Sequence, residues 1–227
     1  MYILVVDDDR FANALVHFVL SKEGYEVETT DNPRGALQMI QRREPDLLLL
    51  DVTMPYLDGF QFSEKLRSEG YETPLIFMTA MDALEDRLRG FRIGADDYIC
   101  KPYNHQELVA RVQAVLRRMK KQDLPGNHSV RAGQVELFPA DLKVVLPGRG
   151  AIDLTHTEMQ VLRILMRAAN QVVSRVQLLN EVWGDDGNSS NIVDVYIGRL
   201  RKKLEDDFEN PQYILSVRGI GYKFVSK

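Results

Sequence analysis

Four short apolar runs in the first half of the chain each end in a reactive polar residue. Ile3-Leu4-Val5-Val6 leads into Asp7-Asp8-Asp9, and Leu47-Leu48-Leu49-Leu50 leads into Asp51. Leu75-Ile76-Phe77-Met78 leads into Thr79, and Asp97-Tyr98-Ile99-Cys100 leads into Lys101-Pro102. Short apolar runs bounded by polar residues read as strands of a parallel sheet buried on both faces. Open parallel α/β sheets form their sites at the carboxyl ends of the strands. The spacing therefore predicts three or more carboxylates, a hydroxyl and an ammonium gathered at one edge. That is the chemistry of a magnesium-assisted phosphoryl site.

The segments between the runs are helical in pattern. Phe11, Leu15, Phe18 and Val19 recur as on an amphipathic helix that ends near Gly24. Tyr25 to Thr29 is a second strand, Gly35 to Arg43 a second helix stopped before Pro45, and further helices are expected near 59–69, 84–93 and 105–119. The last should bury Leu108, Val112, Val115 and Leu116. The order is (βα)5, a doubly wound, flavodoxin-like sheet with its site between strands 1 and 3.

Residues 120–128 break this pattern with a polar stretch around Pro125-Gly126 and read as a linker. Beyond it, short strands near 130–137 and 142–145 precede three helices near 155–169, 174–183 and 190–206. A hairpin, 212–217 and 221–225, closes the chain. The expected domains are thus 1–119 and 129–227. The charge divides unevenly: residues 1–118 hold 14 basic and 20 acidic residues, a net of −6, and the remainder is +2. An acidic first half suits a cation site. The second half is too mildly basic for net charge alone to indicate nucleic acid.

The 227 residues contain one cysteine, Cys100, so no internal disulfide can form. Its apolar neighbours suggest buried packing, and its solitude fits a reducing cytoplasm. No apolar stretch approaches the ~18 residues that span a bilayer. The first residues lack a basic n-region and cleavage site, so neither a signal peptide nor a membrane partner is expected.

Asp51 is the candidate nucleophile for a phosphoryl group. Asp7, Asp8 and Asp51, with the Thr53 carbonyl, would hold Mg²⁺ in the mixed, part-hydrated ligation that this ion prefers. Lys101 and the Thr79 hydroxyl would meet phosphoryl oxygens. Asp7-Asp8, Asp51-x-x-Met54-Pro55-x-x-Asp58-Gly59, Thr79-Ala80 and Lys101-Pro102 together resemble a response-regulator receiver domain. The resemblance implies that Asp51 accepts phosphate from a histidine kinase. It also implies that Thr79 and Tyr98 move together on phosphorylation. The start Val5-Val6-Asp7-Asp8-Asp9 fits a rival reading, a haloacid-dehalogenase-type phosphatase with Asp7 as nucleophile. Its later lysine and acidic pair stand here in the wrong order.

Arg87, Asp96, Asp97, Glu107, Arg111 and Arg118 alternate in sign across helix 4, strand 5 and helix 5. The stretch from Arg87 to Tyr98 is similar to OmpR/PhoB-type regulators, and the resemblance implies that this face pairs two receivers in a homodimer on phosphorylation. Arg92 departs from the pattern. In helix 190–206, Val193, Ile197, Leu200 and Leu204 form the apolar stripe, and Asn191, Val195, Gly198, Arg199 and Lys202 share another face flanked by Arg201 and Lys203. That face suits a DNA major groove, with Arg199 reaching guanine and Val195 a thymine methyl. With Leu154-Thr155-x-x-Glu158, Val182-Trp183-Gly184 and the closing Val217-Arg218-Gly219-Ile220-Gly221-Tyr222, it resembles the winged helix-turn-helix of the same regulators. The resemblance implies binding of double-stranded promoter DNA, with Arg218 on the wing, and allows RNA polymerase as a further partner. Asn191 and Gly198 stand where relatives often carry basic residues, so a single module should bind weakly. No catalytic role is expected. The alternative is a DNA-binding regulator that works without phosphorylation.

Overall fold

The computed structural model describes residues 1–55, 57–80, 83–120, 129–184, 191–204 and 211–226. Most of the expected linker and the loop before helix 190–206 lie outside them. The chain forms two compact units, 1–117 and 118–227.

Unit 1 alternates β1 (Tyr2–Val6), α1 (Arg10–Lys22), β2 (Glu26–Thr30), α2 (Pro33–Arg42), β3 (Leu47–Asp51), α3 (Gly59–Ser68), β4 (Leu75–Thr79), α4 (Leu84–Ile93), β5 (Asp97–Cys100) and α5 (His105–Lys120). The five strands are parallel in the order β2-β1-β3-β4-β5. This is the flavodoxin-like order expected from the apolar runs, with its switch point between β1 and β3. Every residue of β1, β3 and β4 is buried, because helices cover both faces of the sheet.

Local sequence fixes the helix starts. Asp9 caps α1 by accepting from the Phe11 amide, and Asn32 caps α2 ahead of Pro33. Asp58 and Gln61 form a reciprocal capping box at α3. Gly59 is required there, since a Cβ would lie 2.2 Å from the Asp51 carbonyl oxygen.

The apolar stripe of α1 does not face the core as its spacing suggested. Asn13, Val16 and Leu20 are buried, whereas Phe11 is 87% exposed, Phe18 57% and Leu15 50%. Asn13 takes the inward position because its amide donates to the carbonyls of Asp7 (2.7 Å) and Thr30 (3.2 Å), tying α1 to the ends of β1 and β2. Cys100 is half-buried, not enclosed.

Unit 2 opens with a four-stranded antiparallel sheet, β6 (Val130–Ala132), β7 (Val135–Phe138), β8 (Lys143–Leu146) and β9 (Gly150–Asp153). The expected single strand over 130–137 is a hairpin, broken at Gly133 where φ is 63°. Helices α6 (His156–Arg167), α7 (Arg175–Val182) and α8 (Asn191–Leu204) follow, and β11 (Ile214–Val217) and β12 (Gly221–Phe224) form the closing hairpin. A short strand absent from the sequence reading, β10 (Val172–Ser174), pairs with β12. Gly221 permits that approach, since a Cβ would stand 2.0 Å from the Val173 carbonyl oxygen. Val193, Ile197, Leu200 and Leu204 of α8 are buried as their spacing requires, and Trp183 is packed at 5.3 Å from the Tyr196 ring.

Candidate phosphoacceptor site and DNA interface

Because β1 lies beside β3, Asp7 stands next to Asp51, and Lys101 reaches both from the end of β5. The Lys101 ammonium lies 2.6 Å from Asp7 Oδ2 and 2.9 Å from Asp51 Oδ2. Asp7 is fully buried and Asp51 only 3% exposed. Asp51 Oδ1 accepts from the Thr53 amide (3.1 Å) and hydroxyl (3.2 Å), and Asp7 Oδ1 accepts from the Asp9 amide (3.0 Å). The Lys101–Pro102 peptide is cis.

Ligand atoms of Asp7, Asp8 and Asp51 all fall within 4.8 Å of one another, with Asp8 open to solvent. Burial holds the Asp7 carboxyl above its usual range, even with Lys101 and the Asp9 amide acting the other way. For Lys101, bonds to the two carboxylates outweigh the opposing effect of burial and keep the ammonium charged. Two buried carboxylates sharing one lysine remain short of positive charge, and an oxygen-only donor set with one exposed carboxylate fits a part-hydrated magnesium ion. The acidic pocket is compatible with that ion.

Thr79 ends β4, fully buried. Its hydroxyl is hydrogen-bonded to Tyr98, whose ring is 2% exposed and whose phenol is pushed well up by burial. The ring fits because Gly90 of α4 carries no Cβ: one would meet Phe77 at 3.0 Å and Tyr98 at 3.3 Å.

The six charges expected on one face divide. Arg111 binds Asp97 (3.1 Å) and Glu107 (3.0 Å) within its own chain, with 14% of its side chain exposed. Arg87 and Arg118 are partly exposed. Asp96 is 2% exposed and turned inward, accepting from the Leu75 amide at 3.0 Å. An acid that satisfies the first amide of β4 is a structural anchor, so Asp96 does not lie on the exposed face.

On α8, Asn191 and Lys202 are exposed and Val195 partly so. The other basic residues are drawn inward. Arg199 lies 2.7 Å from Glu158 of α6, Lys203 2.8 Å from the same carboxylate, and Arg201 donates to the Ile214 carbonyl at 2.7 Å. Arg199 is therefore not free to reach a guanine edge in this arrangement. At the start of α8, Asp194 accepts from the Tyr222 hydroxyl (2.6 Å) and Arg175 (2.9 Å), joining the wing to α7 and α8. In the sequence Glu158 stands out only within the Leu154-Thr155-x-x-Glu158 stretch, and the structure shows that it closes the capping box of α6. Its second role spans more than forty positions, and no local signal marks it.

The geometry defines a flavodoxin-like domain with an acidic pocket at its switch point, followed in the chain by a winged-helix domain. Residues 3–113 match the response regulator receiver domain, and residues 148–224 match the C-terminal domain of transcriptional regulatory proteins. The chain is 42% identical over 221 residues to the response regulator MprA of Mycobacterium bovis, covering 97% of this chain and 95% of that protein. It is 41% identical to MprA of Mycobacterium leprae over 223 residues, covering 98% and 97%. Among solved structures, a RitR mutant superposes with a TM-score of 0.80 at 31% identity, covering 98% of each chain. DrrB, an OmpR/PhoB homologue from Thermotoga maritima, superposes at 0.50 with 32% identity, covering 99% and 98%. The chain belongs to the OmpR/PhoB-type response regulators of two-component systems. It is a regulator with a receiver and a DNA-binding domain, not an enzyme, and the phosphatase reading of Asp7 falls with that result. Among the described residues no helix is long and apolar enough to cross a membrane.

Proposed function

We propose that Asp51 accepts a phosphoryl group from a histidine kinase, that the phosphorylated receivers pair, and that the paired second domains bind promoter DNA. The observation that carries this reading is the Lys101 bridge between Asp7 and Asp51 at the switch point of the sheet. A carboxylate oxygen of Asp51 attacks phosphorus as the bond to the kinase's imidazole nitrogen breaks, leaving an acyl phosphate. Mg²⁺, held by Asp7, Asp8, Asp51 and the Thr53 carbonyl, would neutralise phosphoryl oxygens. Lys101 stands close enough to Asp51 to follow its charge onto the phosphoryl group. Thr79 would turn its hydroxyl toward another phosphoryl oxygen, leaving its bond to Tyr98 and freeing that ring to reorient. This couples Asp51 to the face of β5 and its flanking helices, where Asp97, Glu107 and Arg111 would exchange their intrachain pairs for pairs across an isologous dimer, joined by Arg87 and Arg118.

The kinase has a landing surface. Helix α1 begins two residues beyond Asp8 and presents Phe11, Leu15 and Phe18 to solvent. With Val19, Val109 and Ala110 the latter two line a groove of about 490 Å³. An exposed apolar stripe beside the acceptor site fits the helices of a donor that must approach Asp51. On the DNA side, Asn191, Val195, Lys202 and the wing residue Arg218 are the groups proposed to meet the duplex, and RNA polymerase is a further proposed partner. The site of action is proposed to be the cytoplasm.

Labelled phosphate from a small phosphodonor, supplied with Mg²⁺, should enter the wild type and not Asp51→Asn. Equal labelling of both would overturn the assignment. A wild type that takes no label yet binds DNA fully would favour the phosphorylation-independent alternative.

A further inference from the structure

Glu158 is fully buried, yet it faces two basic residues of the helix proposed to read DNA. Arg199 Nη2 lies 2.7 Å from its Oε1, and Lys203 Nζ lies 2.8 Å from its Oε2. The same Oε2 accepts from the Thr155 amide at 2.9 Å, closing the capping box of α6. The two basic side chains are 13% and 28% exposed. Positions 199 and 203 are four residues apart and share one helical face, while Asn191, Val195, Gly198 and Lys202 share another. Lys203 also donates to the Asp153 carbonyl at 2.9 Å, and the Arg199 guanidinium sits 5.4 Å from the Tyr196 ring centre.

We propose that Glu158 is a positioning residue for DNA recognition, whose carboxylate draws Arg199 and Lys203 away from the duplex and fixes the rotation of α8 on α6. The proposal rests on α8 being the DNA-contacting helix. With Arg201 tied to the Ile214 carbonyl, three of the four basic residues between 199 and 203 serve orientation, leaving Lys202 exposed. Recognition is thereby weighted toward the shape of a low-charge face instead of general attraction to phosphate. Burial would by itself push the Glu158 carboxyl up, but Arg199 and Lys203 outweigh it and hold the group ionised.

The test is Glu158→Gln in the full chain. Glutamine preserves a capping box, as Gln61 does in α3, so the charge is removed while the helix start is kept. Binding is measured against salt on a random-sequence duplex and on a duplex selected from a randomised pool by the wild type. Arg199 and Lys203, released from Glu158, should steepen the salt slope on random DNA by up to ~1.8, at ~0.9 per phosphate neutralised. Preference for the selected duplex should fall. Arg199→Gln and Lys203→Gln should each leave the wild-type slope unchanged. Overturning results are a uniform loss of affinity in Glu158→Gln with an unchanged slope, or a drop of ~0.9 in slope for either single variant, which would place that side chain on phosphate. A wild type with no salt-dependent DNA binding would instead overturn the reading of α8 on which the proposal rests.

Discussion

Replacing Lys101 with Met isolates the electrostatics of the acidic pocket proposed as the acceptor site. The substitution keeps an unbranched side chain of similar length and removes the only cation within bonding distance of Asp7 and Asp51 among the described contacts. Asp7 is fully buried and Asp51 nearly so, so neither can recover its hydration without local opening. Removing one partner of a buried pair costs about 3–5 kcal/mol. Lys101 is 23% exposed on its side chain and Asp8 opens the site to water, which puts the cost at the lower end, about 3 kcal/mol. For a unit of this size, about 3 kcal/mol lowers Tm by roughly 10–15 °C. Differential scanning calorimetry of the full chain in EDTA should show that shift in one transition. Millimolar Mg²⁺ should recover much of it, because the unpaired carboxylates then bind the ion more strongly than in the wild type. A Tm within about 2 °C of wild type in EDTA would refute the claim that Lys101 neutralises this pair. A large loss that Mg²⁺ does not touch would refute the claim that the pair forms the cation site.

Three further outcomes follow from the same reasoning. Glu158 titrates below its usual range, so its contribution to stability is present above the unfolded value near about pH 4.3 and is lost as pH falls through the lower folded value. Acid unfolding of the second unit should accordingly be steeper below about pH 4 in wild type than in Glu158→Gln, and parallel curves by circular dichroism would contradict this. Gly59→Ala places a methyl against the Asp51 carbonyl and should destabilise the first unit by at least about 2 kcal/mol, read as a lowered urea midpoint; an unchanged midpoint would show that the loop yields freely. Phe11→Ser with Phe18→Ser should leave Tm nearly unchanged, since both rings are mostly exposed, while slowing phosphotransfer from a histidine kinase but not from a small phosphodonor; equal rates with the kinase would remove α1 from the docking surface.

The sheet was legible because β1, β3 and β4 are buried on both faces, which leaves continuous apolar runs with the site residues at their ends. Helix α8 was legible because its stripe at 193, 197, 200 and 204 has a single interpretation. Helix α1 was not, because it carries two competing stripes. The stripe of Phe11, Leu15 and Phe18 points outward, and the one that faces the core joins Val16 and Leu20 to a polar residue, Asn13, which satisfies two strand-end carbonyls. Strand β10 is three residues long and exists only through its pairing with β12. The inward turns of Asp96 onto Leu75 and of Arg199 onto Glu158 depend on partners 21 and 41 positions away, beyond the reach of any local pattern.

The central claim is that the state of Asp51 controls pairing of the receivers. Light scattering of the full chain with Mg²⁺, with and without beryllofluoride, tests it on wild type and Asp51→Asn. Doubling of the mass in wild type alone is the expected result. An unchanged mass in both proteins, or dimers in both irrespective of beryllofluoride, would contradict it.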